Sequence, residues 1–364
     1  MDNNRYILIL GGTGAMGSYL TPLLARQGGV KVYCTSRSAH QDKENLKFLQ
    51  GNANDVEFLS KVLQMRHWDA IVNFMAYNTH SFESLYEQFL DATDQYIYLS
   101  SARVYASTED PITEESPRLL DVCKDLDYLA TDEYALAKAR QEDILRKSGR
   151  KNWTIIRPYV TFSDYRLQLS CEEKESWLYR CLHDRTIVFS KDLASKITTF
   201  TYGEDVARGM AAVIGKKEAL GEAFHITNQQ SYTWQEIANW YLDAIERETG
   251  RRPKILMANR YEPFFGGNRP QVKYDRLYTR KFDNSKIGQF IDVSTFRPTH
   301  QALDECIHNF IANPKFGSIN WVHEALKDKM TGEWASPSEI LTIKGTKPKA
   351  KYVLTRLGMY HPRV

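Results

Sequence analysis

No pair of cysteines in this chain stands at the C-x-x-C spacing: Cys34, Cys123, Cys171, Cys181 and Cys306 are odd in number and scattered. That excludes a disulfide framework or a thiolate metal site as the organising feature and predicts reduced, mostly buried thiols. Around His183 and His225 no second histidine or acid stands at ligand spacing, so both are expected to pack, and no metal is expected. Long apolar runs are missing as well. The run Tyr6–Leu10 is short and framed by Asp2 and Arg5, unlike a signal peptide or a membrane span, so the expectation is a cytoplasmic protein with no membrane partner. Acids are absent from Ile340 to Val364, where Lys344, Lys347, Lys349, Lys351, Arg356 and Arg363 bring six positive charges. The net charge of +3 less these six leaves the remainder at −3. Such a stretch attracts nucleic acid or anionic lipid, but it lacks interleaved aromatic residues and reads as a solvated terminus. The nearly neutral body argues against a nucleic-acid partner.

What is present is a chain of 364 residues, 42% hydrophobic and 26% charged, enough for one large or two intimate domains. Apolar strand-like runs at 6–10, 30–34, 70–74, 96–99 and 153–156 alternate with helix-like stretches at 16–27, 55–65, 81–92 and 131–148. Strands spaced by helices predict an α/β protein with a Rossmann-type, doubly wound parallel sheet, whose ligands bind beyond the carboxyl ends of the strands.

The stretch GGTGAMG follows the first strand and spaces its glycines as Gly11-x-x-Gly14-x-x-Gly17. Gly11 permits a sharp turn, Gly14 lets a diphosphate approach the backbone, and Gly17 lets the next helix, expected from about Ala15, pack close to the strand. The plainer alternative is a tight turn that merely needs small residues. At the end of the second strand stands Cys34-Thr35-Ser36-Arg37-Ser38, with no acid to accept from a ribose 2′-OH. Arg37 suits a 2′-phosphate and Ser36 adds a hydroxyl, which favours NADP; the alternative is a surface arginine and NAD.

Two further stretches carry the chemistry. YIYLSSARVYA ends the fourth strand with Ser100 and Ser101, and TDEYALAKARQEDIL places Tyr134 and Lys138 four apart on one helix face. An ammonium near a phenol stabilises the phenolate, as proton exchange with an alcohol or ketone requires. Tyr-x-x-x-Lys by itself is common on amphipathic helices, and its place after a serine-bearing strand end is what singles it out.

With these motifs in order, and with Arg157-Pro158, TTFTYGEDVARGM and DNSKIG after them, residues 5 to 312 resemble the extended short-chain dehydrogenases/reductases of the nucleotide-sugar epimerase/dehydratase group. The resemblance implies Tyr134 as acid/base, Lys138 as the residue that orients the nicotinamide ribose, and Ser101 as a hydrogen-bond donor to the reacting oxygen. It implies cofactor contacts from Gly11, Thr13, Gly14, Met16, Gly17, Ser36, Arg37, Asn52, Ala53, Ala76, Tyr134, Lys138 and Pro158; Asn52 stands where an Asp is usual. The dehydratases and decarboxylases of the group carry acids just after the catalytic Ser/Thr, where this chain has Ala102 and Arg103. Elimination therefore lacks its acid, and hydride transfer remains.

The expected function is an NAD(P)-dependent oxidoreductase acting on a sugar carbon of a nucleotide sugar: a keto-sugar reductase using NADPH, or a 4-epimerase with retained NAD. A non-catalytic cofactor sensor and an RNA-associated protein on the same fold are the readings from other classes. The expected division is a cofactor-binding domain over 1–160, a smaller substrate domain over 161–313 interrupted by a return to the sheet near 198–228, and an extension over 314–364, in which Trp321, Trp334 and the apolar run Ile340-Leu341-Thr342-Ile343 suggest an ordered appendage ahead of the basic stretch, the plainer alternative being a loosely attached tail. Arg103, Arg166, Lys196, Arg269, Lys273 and Arg276 are the cations expected to meet the substrate, and a homodimer is an open expectation.

Overall fold

The structure, a computed structural model, describes residues 4–265 and 269–361. It divides into two units. The first comprises residues up to Ser163 together with Thr199–Gln230 and Arg280–Thr299, so the chain returns to it twice.

The first unit is built on seven parallel strands: β1 (Arg5–Leu10), β2 (Val30–Ser36), β3 (Leu46–Gln50), β4 (Ala70–Asn73), β5 (Tyr96–Leu99), β6 (Trp153–Pro158) and β7 (Glu222–Ile226). They lie in the order β7-β6-β5-β4-β1-β2-β3. Alternate side chains of one strand feed opposite layers. Ile7 and Ile9 pack with Leu20, Leu24, Val206 and Met210, whereas Leu8 and Leu10 pack with Leu59, Val62, Phe89 and Leu145. The helices covering the two faces are α1 (Gly17–Ala25) with α6 (Gly203–Val213), and α2 (Val56–Gln64), α3 (Thr79–Glu83), α4 (Tyr86–Asp91) with α5 (Tyr134–Lys147). The connection reverses direction between β1 and β4, and it is beside this switch point that a doubly wound sheet opens a crevice for ligands.

The structure departs from the sequence expectation at several elements. β3, LKFLQ, is an edge strand with Lys47 and Gln50 exposed and only Leu46 buried, so it carries no apolar run. The helix expected over 81–92 is two short helices that meet at Ser84 and Leu85. The helix expected from about 131 begins at Tyr134, after Glu133 caps it by accepting from Ala135 N–H.

The second unit comprises Asp164–Thr198, Ser231–Thr279 and His300–Val364. Its longest helix, α7 (Trp234–Thr249), opens on a reciprocal cap between Thr233 and Glu236 and stops at Gly250, whose φ of 72° only glycine adopts freely. Toward the C-terminus follow α8 (Thr299–Ala312), α9 (Trp321–Thr331), α10 (Pro337–Thr342) and α11 (Thr346–Arg356). Ordered as Trp321, Trp334 and the Ile340–Ile343 run suggest, α9 to α11 form a packed cluster around Ala325, Ala335, Ile343 and Tyr352, with Trp321 and Ile340 against it; the stretch from Ile340, expected as a solvated terminus, thus brings Ile343 and Tyr352 into a core. Arg363 lies outside the described residues. Four of the five thiols are buried, Cys123 is half-buried, and all five are free.

Candidate active site

The glycine turn closes a gap that side chains would hold open. Gly11 has φ 73°, and its N–H donates to Thr35 Oγ1 at 3.0 Å, tying the end of β1 to β2. A Cβ at Gly17 would stand 2.7 Å from the backbone of Gly12, and one at Gly12 would stand 2.7 Å from Cys34 Sγ. Gly12 and Gly17 therefore set how closely α1 approaches the strands; the spacing Gly11, Gly14, Gly17 had not shown Gly12's part. Gly14 differs from both, because its Cβ would meet only Gly11 O at 3.9 Å. Helical pairing starts at Gly17, two residues later than expected, with Met16 as its cap residue; the ladder is entered through Ser18 N–H donating to Gly14 O at 2.9 Å. Thr13 and Gly14 are exposed ahead of this first turn, in which Tyr19 N–H donates to Met16 O at 3.1 Å. The open backbone at Gly14 and the helix N-terminus behind it fit a dinucleotide diphosphate.

The other expected cofactor residues fall on neighbouring strand ends. Ser36 is buried at the end of β2, where its hydroxyl accepts from Ser38 N–H and contacts His40 Nε2 at 3.0 Å. Arg37, next to it, is exposed. After β3, Asn52 turns its carboxamide onto Asn54 N–H and Ala53 is buried. Ala76 is exposed beyond β4, and Pro158 is buried at the end of β6. Register brings β3, β2, β1 and β4 side by side, so Ser36, Arg37, Asn52, Ala53 and Ala76 end or follow adjacent strands, while Pro158 lies on β6, two strands beyond β4.

The Ser–Tyr–Lys residues lie one strand further on. Ser101, just past β5, is buried and accepts from Arg103 N–H at 3.2 Å, capping a short turn at Ala102–Val104. Tyr134 is the first residue of α5 and is 43% exposed. One turn later, Lys138 is buried; its ammonium donates to Leu99 O at 2.8 Å and lies 4.8 Å from the Tyr98 ring centre and 5.9 Å from that of Tyr134. Burial pushes the Lys138 ammonium down to about 8, against the opposing pull of Glu142.

A buried polar chain braces these groups from behind. Glu142, four residues after Lys138, accepts from Ser100 Oγ at 2.5 Å and from Arg157 Nε and Nη2 at 2.8 and 2.6 Å. Burial raises the Glu142 carboxyl, but Arg157, Ser100 and Arg118 together hold it below the ordinary carboxylate range. Arg157 also donates to Tyr105 OH at 2.9 Å, which meets His225 Nδ1 at 3.3 Å. Burial, first of all, lowers His225 to about 4, so the imidazole is neutral near pH 7 and packs among Tyr105 and Phe282. Sequence reasoning missed Glu142, although its place one turn after Lys138 was the available signal.

The six cations expected at the substrate are placed differently. Arg103 lies 5.2 Å from the Tyr134 ring centre, but its Nη2 is held by Glu133 Oε1 at 2.6 Å. The other five are all in the second unit. Arg276 is buried, paired with Asp275 and bound to Ser170 O, so it is part of the fold. Arg166 pairs with Glu173 at 3.2 Å. Lys196 is half-buried, Arg269 and Lys273 are exposed, and Lys273 lies over the Tyr274 ring. Among the described residues, no group of three or more His, Cys, Asp or Glu side chains is placed to hold a metal ion, and no helix is long and apolar enough to cross a membrane.

This sheet, with its glycine turn after the first strand, is a Rossmann-type arrangement. The chain belongs to the NAD dependent epimerase/dehydratase family, whose model matches residues 7–227. It is 24% identical over 300 residues to the chloroplast stem-loop binding protein of 41 kDa b of Arabidopsis thaliana, covering 78% of this chain and 74% of that one. It is 30% identical over 134 residues to a UDP-glucose 4-epimerase of Lactobacillus helveticus, covering 30% of this chain and 40% of that one. In fold it matches the UDP-glucuronic acid 4-epimerase of Bacillus cereus, solved with UDP-glucuronic acid and NAD, at a TM-score of 0.64 and 16% identity over 85% of this chain and 100% of that one.

Proposed function

We propose that this protein transfers a hydride between a nicotinamide cofactor and a sugar carbon of a nucleotide sugar, with Tyr134 exchanging the accompanying proton. The observation that carries the reading is the stacking of roles on α5: an exposed phenol on its first residue, and one turn below it a buried ammonium anchored to the end of β5. A bound nicotinamide supplies or takes up the hydride. The Tyr134 hydroxyl delivers a proton as charge develops on the substrate oxygen, and the Ser101 hydroxyl, which accepts from Arg103 N–H, keeps its own proton for that oxygen. Lys138 places its charge beneath the phenol, and its bond to Leu99 O fixes its position. Arg103 is salt-bridged and Ala102 has no acid, so nothing at these two positions protonates a leaving hydroxyl, and dehydration is not part of the reading.

Within it, reduction with NADPH is favoured by the exposed Arg37 and the lack of an acid at the end of β2. The epimerases among its relatives favour 4-epimerisation with retained NAD. Purified protein separates the two: tightly held oxidised cofactor marks an epimerase, and an empty protein that oxidises NADPH against a 4-keto nucleotide sugar marks a reductase. Formation of a 4-keto-6-deoxy product from a nucleoside-diphosphate hexose by this protein alone refutes the reading.

A second reading has one observation behind it: the match to the stem-loop binding protein spans more than twice the length of the match to UDP-glucose 4-epimerase. On this reading the chain binds RNA. Gel retardation of an RNA hairpin tests it, and no retardation at micromolar protein refutes it.

A further inference from the structure

Helices α9 to α11 sort their charges by sign. Four acids occur between residues 314 and 361, and all four turn inward. Glu324 and Asp328 lie buried against Arg180 Nη1 at 2.9 Å each, and Glu339 meets Arg185 Nη2 at 2.9 Å. Glu333, three-quarters covered, accepts from Thr186 N–H at 2.9 Å and from its hydroxyl at 2.6 Å. Tyr352 of α11 locks the arrangement by donating to Asp328 Oδ2 at 2.7 Å. Lys327 also points inward, to Glu172 at 2.9 Å.

The remaining cations are not buried, and of them Arg356 donates its Nε to Glu333 O at 2.7 Å. Lys329, Lys344 and Lys347 are exposed, and Lys349, Lys351 and Arg356 half-exposed. None of these six forms an ion pair among the described residues. The arginines of 180–185 have consumed every acid of the cluster, so its outer surface carries positive charge alone. Arg356 lies 4.8 Å from the ring centre of Trp334, which is itself 44% exposed.

We propose that this face binds the phosphodiester backbone of a nucleic-acid strand, with Trp334 as the ring on which a base stacks. The proposal goes beyond hydride transfer and gives the RNA reading a site, while standing on the charges of these helices alone. A lysine series at 347, 349 and 351 spreads its charges around the helix, which suits a flexible polyanion that wraps it. An anionic membrane suits it less. The first half of α11 shows only lysines, Thr346, Pro348 and Ala350, and the exposed Leu354, Leu357 and Met359 come at its end, short of the apolar stripe that a helix needs to lie among acyl chains.

The test is fluorescence anisotropy of the full chain with a labelled 20-nucleotide oligouridylate. Single-stranded binding loses about 0.7 of a power of salt concentration per phosphate contact. Five contacts, from Lys344, Lys347, Lys349, Lys351 and Arg356, therefore give a log–log slope of about −3.5. The variant K347Q/K349Q/K351Q removes three contacts on solvent-facing side chains, so affinity at 0.1 M salt falls by about 100-fold and the slope falls to about −1.4. W334A weakens binding with the slope unchanged. Unchanged affinity in the triple variant overturns the site while leaving RNA binding elsewhere intact. No binding by the unmutated chain, or binding to phosphatidylserine vesicles in place of the oligonucleotide, overturns the proposal outright.

Discussion

Gly14 and Gly17 are three residues apart in the same turn, yet replacing each by alanine should do opposite things. At Gly17 the added methyl carbon would stand 2.7 Å from the Gly12 backbone, which cannot swing aside as a side chain can. α1 must back away from β1, and overpacking of this kind costs about 1 to 3 kcal/mol. At that cost the melting temperature falls by several degrees. At Gly14 the methyl would meet only Gly11 O at 3.9 Å, and its φ lies outside the left-handed range. Gly14→Ala should therefore leave the empty protein as stable or about 0.4 to 1 kcal/mol more so, through the loss of freedom in the unfolded chain. The same methyl occupies the space into which the diphosphate is proposed to fit. A clash of about 1 to 3 kcal/mol weakens dinucleotide binding roughly 5- to 150-fold. The assay pairs thermal unfolding of the empty protein with calorimetric titration of NAD and NADPH. If Gly14→Ala binds the dinucleotide within twofold of the parent, the diphosphate does not lie over Gly14 and the placement is wrong.

Three more outcomes follow from the site. Arg37→Ala should weaken NADPH binding by about 1.5 to 3 kcal/mol and leave NADH nearly untouched, and equal binding of both by the unmutated protein rules out the role given to Arg37. Tyr134→Phe should fold and bind cofactor normally while turnover falls roughly 10²- to 10⁴-fold, so near-parent turnover would make the tyrosine a packing residue. Lys138, lowered from 10.5 to about 8 by burial, makes a pH prediction. Between those values the unfolded chain holds a proton that the folded one has released, so the parent gains stability as pH rises through 8 to 10.5 and bears the full cost below 8. Relative to Lys138→Met, the parent should gain about 3 kcal/mol across that window in denaturant unfolding; a pH-independent difference would show that the ammonium is well solvated.

Local periodicity made the strand–helix alternation legible, and with it the glycine turn and the Tyr134–Lys138 face, because each is set by residues within a few positions of one another; the switch point between β1 and β4 came only with the strand order. Gly17 was readable for the same reason: close approach of a helix to its own preceding strand is a short-range matter. What escaped depended on partners far along the chain. β3 exists because Val32–Ser36 offers it an edge, not because LKFLQ has a strand's apolar pattern. Arg103 looked like a substrate cation until the fold brought Glu133, thirty residues on, within 2.6 Å of it. The basic end of the chain looked like a solvated tail because charge and composition say nothing about what lies opposite. Only the tertiary structure carries Ile343 and Tyr352 of that stretch into a cluster with Ala325 and Ala335, and sets Arg180 and Arg185 against Glu324, Asp328 and Glu339, some 140 to 155 residues away, which leaves the outer face of the cluster positive.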